Sequence, residues 1–157
     1  MYYRDGQRHG RYLLYYTNGQ IKTREMYTNG LLNGYKYCYS DRGILLSKEY
    51  FIMGVLHGLK LDYYPDGTIG CVRTYNKGVI DGILIRYWGN GNIKVLVNYL
   101  NGILSGVRIE YDIDGNMNDL CNFRYSLRHG NRLMFTEKKL KHLNVYDRGE
   151  IIKSYSF

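Results

Sequence analysis

The sequence predicts an all-β fold, an elongated antiparallel meander of 24-residue β-hairpin repeats forming a single twisted or curled sheet. Three observations point there. Stepping by 24 from Tyr3 reaches Tyr27, Phe51, Tyr75, Tyr99 and Phe123, then Tyr146 after one deletion, so an aromatic recurs at one fixed place. Three glycine columns of the same period hold 17 of the 19 glycines, a regularity that only an internal repeat produces. The chain carries 19 Tyr and one Pro, a bias towards short strands and tight turns over helices. The expected organisation is a single repeat domain over residues 1–157. Copies start near 3, 27, 51, 75, 99 and 123, with a partial copy from 146.

Numbering each copy from its leading aromatic, the first strand covers positions 9 to 13. It shows period-2 alternation. Positions 9, 11 and 13 read Tyr35-Tyr37-Tyr39, Leu59-Leu61-Tyr63, Ile83-Ile85-Tyr87 and Val107-Ile109-Tyr111, which predicts an apolar, core-side face. Positions 10, 12 and 14 include Lys36, Lys60, Asp62, Arg86, Arg108 and Glu110, which predicts a wet face. A hairpin turn follows at Asn18-Gly19, Asp66-Gly67, Asn90-Gly91 and Asp114-Gly115, because Asn-Gly and Asp-Gly both accept positive φ. The second strand carries an aliphatic at position 19 (Ile21, Leu45, Ile69, Ile93), and it and the position-1 aromatics are expected to continue the apolar face. A six-residue loop bracketed by two glycines, as in Asn29-Gly30-Leu31-Leu32-Asn33-Gly34, then leads into the next copy. The sixth copy is degenerate around Glu137-Lys138-Lys139, and Lys138–Leu143 is not read as a helix.

Tyr27, Asn29, Gly30, Gly34, Tyr63, Tyr64, Asp66, Gly67 and Ile69 spell Tyr-x-Asn-Gly-x-Leu-x-Gly followed by Tyr-Tyr-x-Asn/Asp-Gly-x-Ile. With Tyr87, Gly91, Tyr111 and Gly115 repeating it, the pattern resembles the MORN repeat. It is most similar to the variant form of the YwqK antitoxin-like family and of large DNA viruses. That resemblance implies an elongated twisted sheet used for protein contacts, self-assembly or binding to acidic phospholipids. Trp88 departs from the usual pattern by occupying the second aromatic slot, and the leucine-rich pattern L-x-x-L-x-L-x-x-N is absent.

The remaining residues set the functional expectations. His9, His57 and His129 share position 7, so the array spaces them too far apart for one ion, and they read as loop residues. Cys38, Cys71 and Cys121 form no C-x-x-C pair and read as reduced, half-buried residues. No nucleophile, base and carboxylate columns coincide, so no enzyme activity, metal or cofactor is expected. The net charge of +8 favours an acidic partner. Lys36, Lys60, Arg86, Arg108 and Arg132 form the candidate basic surface. The expected function is protein–protein interaction, scaffolding or assembly, in a viral or bacterial setting. Acidic lipid binding and antitoxin-like binding of a toxin are the alternatives. Nucleic acid is not expected as a partner, because Asp62 and Glu110 interrupt the basic stripe, and the aromatics, most of them on the opposite face, do not settle the question. The bare strand Glu150–Phe157 suggests edge pairing with another chain or a second copy. With no apolar run of membrane-spanning length and no signal peptide, a non-secreted location is expected, within a virion or host cell if viral.

Overall fold

A computed structural model describes residues 2–157. These contain strands and turns and no helix. The chain forms two compact units, Met1–Val79 and Ile80–Phe157, and the boundary falls just inside the fourth copy.

In the first unit, β1 (Tyr3–Arg4) and β2 (Gln7–Arg8) make a small hairpin of their own. The main sheet runs in chain order through β3 (Gly10–Tyr15), β4 (Ile21–Thr28), β6 (Gly34–Tyr39), β7 (Leu45–Ile52), β9 (Gly58–Tyr63) and β10 (Ile69–Asn76). Two short pieces, β5 (Leu31–Leu32) on β4 and β8 (Val55–Leu56) on β7, extend it. The second unit is an unbranched antiparallel meander. Its strands are β11 (Val79–Tyr87), β12 (Ile93–Leu100), β13 (Ile103–Tyr111), β14 (Met117–Arg124), β15 (Leu127–Thr136), β16 (Lys139–Asp147) and β17 (Glu150–Ser156). The predicted meander of hairpins is therefore present in both units, and Lys138–Leu143 lies in a turn and β16.

The two turns of each copy exchange the roles expected of them. At Asn29-Gly30, Met53-Gly54 and Asn101-Gly102 both residues have positive φ, which makes each a two-residue type I′ turn. The segment expected to be a six-residue loop is thus a tight turn followed at once by strand, with β5 pairing through Tyr27↔Leu32. At Gly34 the register breaks and φ reaches 118°, and a Cβ there would meet Met26 Cβ at 3.3 Å, so this column must stay glycine. The Asn18-Gly19 turn is the longer one. Tyr15 pairs with Ile21, Tyr16 N donates to Gln20 O at 2.8 Å, and Gly19 N donates to Tyr16 O at 3.0 Å. Only Gly19 has positive φ there, which is a type I turn closed by a left-handed glycine. Five residues between paired strand ends, as against two, decide the difference.

Turns of successive copies are tied together. Gly30 N donates to Arg8 O, Gly54 N to Leu32 O, Gly102 N to Ile80 O and Ser126 N to Leu104 O, at 2.6 to 2.9 Å. The position-7 residue caps the next turn. Asn33 Oδ1 accepts from Met53 N at 3.3 Å, His57 Nδ1 from Lys77 N at 3.5 Å and Asp81 Oδ1 from Asn101 N at 3.1 Å. The histidine column therefore belongs to a turn-capping position that Asn and Asp also fill.

The face assignment is corrected by burial. The buried residues are Glu25, Cys71, Leu84, Val97, Asp119, Cys121, Asn144 and Tyr146. Each belongs to the face carrying positions 10, 12, 21 and 23 and the position-1 aromatics. The face expected to be wet is thus the packed one. On the other face, Tyr35, Leu59 and Ile83 at position 9 are exposed. The packed face crowds because position-10 side chains meet the second-strand residues and position-1 rings of their neighbours there. Tyr12 and Tyr27, for example, meet edge to face at 5.9 Å. Alternation separates two faces, but it does not say which one closes.

Candidate interaction surfaces

On the packed face of the first unit, one line of neighbours crosses the strands as Tyr12, Glu25, Lys36, Glu49, Lys60 and Arg73. Signs alternate along its centre. Lys36 Nζ lies 3.5 Å from Glu25 Oε1, and Lys60 Nζ lies 2.6 Å from Glu49 Oε1. Arg73 pairs with Asp62 one row away. Burial alone would lower the Lys60 pKa, but the hydrogen bond and charge of Glu49 outweigh it and hold it above the ordinary lysine value. Burial raises the Tyr27 hydroxyl pKa, helped by its 2.8 Å hydrogen bond to the Glu25 carboxylate.

The second unit repeats the theme with Arg. Arg108 pairs with Glu110, and Arg132 pairs with Asp119 at 2.7 Å. Cys121, only 2 % exposed, is inserted between the two arginines in register, and burial raises its thiol pKa. Of the five candidate basic residues, Lys36, Lys60, Arg108 and Arg132 are thus each matched by a carboxylate, while Arg86 is exposed opposite Val95. The carboxylates Glu25, Glu49 and Asp119 come from the second strand of each copy. Reading position 23 beside position 10 in the sequence would have paired Glu25 with Lys36 and Glu49 with Lys60.

In the first unit the opposite face carries no carboxylate at its strand positions, and the two units differ in what they place there. In the first unit it holds Arg11, Arg24 and Lys48 among Tyr15, Tyr35, Tyr37, Tyr39 and Tyr50. Arg24 Cζ lies 4.6 Å from the Tyr37 ring centre, and Lys48 Nζ lies 4.4 Å from that of Tyr35. Tyr35 and Tyr50 meet at 4.9 Å. In the second unit the same face is aliphatic. Ile85, Leu96, Ile109, Leu120, Leu133 and Leu143 are successive cross-strand partners from β11 to β16. All six are only half-buried, because the unit is a single sheet layer.

The remaining candidates have structural settings. His57 caps a turn, and His129 Nδ1 lies 3.2 Å from Asp147 Oδ1. Cys38, Cys71 and Cys121 form no disulfide with one another and lie on the packed face. The repeat glycines Gly30, Gly34, Gly67, Gly91 and Gly115 all occupy positive-φ turn or bulge positions.

No curated protein matches the chain. The family model described as MORN repeat variant matches residues 8–29 and 80–101. The two matches begin 72 residues apart, three periods of 24, so they fall in the same phase of the repeat. MORN repeats are generally associated with protein or membrane-lipid interactions. Taken with the 24-residue period and the antiparallel meander it folds into, these matches support a MORN repeat protein of the variant type.

Proposed function

We propose that the protein acts without catalysis, through protein–protein contact, as a scaffold or assembly component. The observation that carries this reading is the aliphatic row Ile85, Leu96, Ile109, Leu120, Leu133 and Leu143, six strands wide, over which the second unit lays no layer of its own. A contiguous apolar line of this kind marks a surface that another protein, or a second copy, covers. The strand β17, exposed along all seven residues, adds an edge able to pair with another strand. The non-catalytic reading is supported by the structural settings of the shifted groups, which are turn carboxylates, ion-paired cations, a buried thiol and the Tyr27 hydroxyl bonded to Glu25.

Binding of acidic phospholipid through Lys36, Lys60, Arg108 and Arg132 is the weaker alternative, since each of these cations already has its own carboxylate. A toxin partner would be a special case of the protein-contact reading. Sedimentation velocity on the full chain and on Leu120→Lys is the test. The expected result is concentration-dependent association burying at least about 1,000 Å² in the wild type, lost in the variant with its circular dichroism unchanged. A wild type that stays monomeric, yet co-sediments with anionic and not neutral vesicles, would overturn this reading for the lipid one.

A further inference from the structure

The cations that the packed face neutralises leave the first unit's other face as a distinct electrostatic surface. Its strand positions are Arg11, Leu13 and Tyr15 on β3, Arg24 and Met26 on β4, and Tyr35, Tyr37 and Tyr39 on β6, then Lys48 and Tyr50 on β7 and Leu59, Leu61 and Tyr63 on β9. The register Leu13↔Arg24, Arg24↔Tyr37, Tyr37↔Lys48 and Lys48↔Leu61 shows that one row alternates cation, ring and cation at its centre. Arg11, Arg24 and Lys48 make no ion pair with a carboxylate among the described residues, in contrast to Lys36 and Lys60 behind them. The rings are open to a ligand, with Tyr15 52 % and Tyr35 47 % exposed. A hollow of about 260 Å³ is lined by Arg11, Arg24, Met26, Tyr35 and Tyr37, with Glu25, whose carboxylate is engaged by Lys36 and Tyr27, also at its wall. Tyr15, Tyr39 and Tyr63 share one repeat position on alternate strands of the sheet, so rings recur about every 10 Å.

We propose that this face binds single-stranded nucleic acid, with bases stacked on Tyr15 and Tyr35 and phosphates held by Arg11, Arg24 and Lys48. Exposed rings interleaved with cations and free of carboxylates combine the two elements such binding uses, a π-surface for bases and positive charge tracking the backbone. The Arg24 guanidinium is itself a planar stacking partner. Lys48, drawn onto a phosphate, uncovers the Tyr35 ring. An acidic peptide would engage the cations and gain nothing from the rings, so charge and ring together favour the nucleic acid. Asp62 and Glu110, the carboxylates that interrupt the basic stripe of the packed face, have no counterpart at the strand positions of this one, and here rings and cations share a face.

The test is fluorescence anisotropy at low salt on the full chain with labelled oligothymidylate and oligouridylate of about 16 nucleotides, which separates DNA from RNA. Polyglutamate and anionic vesicles serve as competitors. Binding is expected to weaken about tenfold in Tyr35→Ala, as loss of one stacked base predicts, and to persist in Tyr35→Phe. The salt dependence should follow a log–log slope of about −2 for three cations neutralising phosphates. Lys48→Gln should weaken binding and reduce that slope, whereas Lys139→Gln, the same charge change in the second unit, should do neither. The proposal is overturned if no oligonucleotide binds, if polyglutamate or vesicles compete as well as unlabelled oligonucleotide, or if Lys139→Gln and Lys48→Gln act alike. Circular dichroism melts of each variant separate lost binding from lost fold.

Discussion

Glu137 and Lys138 show what a turn demands of single residues. Both hold positive φ, at 51° and 63°, where the other copies spend a five-residue turn closed by glycine. Deletion of one residue leaves Phe135 paired with Leu140 in place of the Tyr111↔Met117 spacing, and a two-residue type I′ turn is what remains. Asn and Gly suit those angles far better than Glu and Lys. Glu137→Asn combined with Lys138→Gly is therefore expected to stabilise the fold by about 0.5–1 kcal/mol, read as a higher denaturant midpoint at unchanged slope.

At the same scale, the Asp66 carboxylate pKa is held below its ordinary value by hydrogen bonds from Thr68, and that of Asp112 by hydrogen bonds from Asn116. A carboxylate whose folded pKa is depressed contributes stability that is present above its unfolded pKa and is lost as pH falls through the folded value. Thermal midpoints should accordingly fall as pH drops below about 4. Asp112→Asn keeps an acceptor for the Asn116 amide without the titration, so it should flatten part of that fall. An identical acid profile in the variant would remove Asp112 as a contributor.

Between strands, pairing decides which charges matter. Lys60 and Glu49 sit with side chains 25 % and 13 % exposed, partly removed from the water that makes surface pairs nearly worthless. Glu49→Gln is expected to cost about 1–2 kcal/mol, because it leaves the half-buried Lys60 ammonium without its counter-charge. A double-mutant cycle with Lys60→Met should show a coupling of about 1 kcal/mol. Additive single effects would mean the pair contributes nothing. These carboxylates were legible in the sequence only once the second strand was laid against the first, since position 23 meets position 10 through the sheet and not along the chain.

At the scale of the whole molecule, the repeats within each unit touch their sequence neighbours through hairpins and turn-to-turn bonds, so stability within a unit is distributed as in a linear array. Hydrogen exchange should therefore be faster in β17, exposed at every residue, than in β13, which is flanked by β12 and β14. Uniform protection across β13 and β17 at low protein concentration would instead mean that the β17 edge is covered. No helix among the described residues is long and apolar enough to cross a membrane. What the two units offer a partner differs by composition alone. Arg11, Tyr35, Tyr37, Arg24 and Lys48 stand at positions 9, 11 and 22 of the first two copies beside Leu13, whereas Ile and Leu occupy 11 and 22 throughout the second unit.

The sequence by itself determined the period, the all-β meander and the places where glycine is obligatory, because these depend on local backbone geometry that each copy repeats. It also separated Lys36 and Lys60 from Tyr35 and Tyr37 by alternation. Only the tertiary structure decided which of those faces packs. Eight buried residues among those described, Glu25 and Asp119 included, place the side carrying Lys36 and Lys60 inside and the side carrying Tyr35 and Tyr37 outside. It likewise decided that Asn29-Gly30, and not Asn18-Gly19, makes the two-residue turn. Both outcomes depend on how strands register against one another: a dipeptide accepts positive φ in either setting, and a lysine looks solvent-facing until the glutamate of the neighbouring strand lies against it.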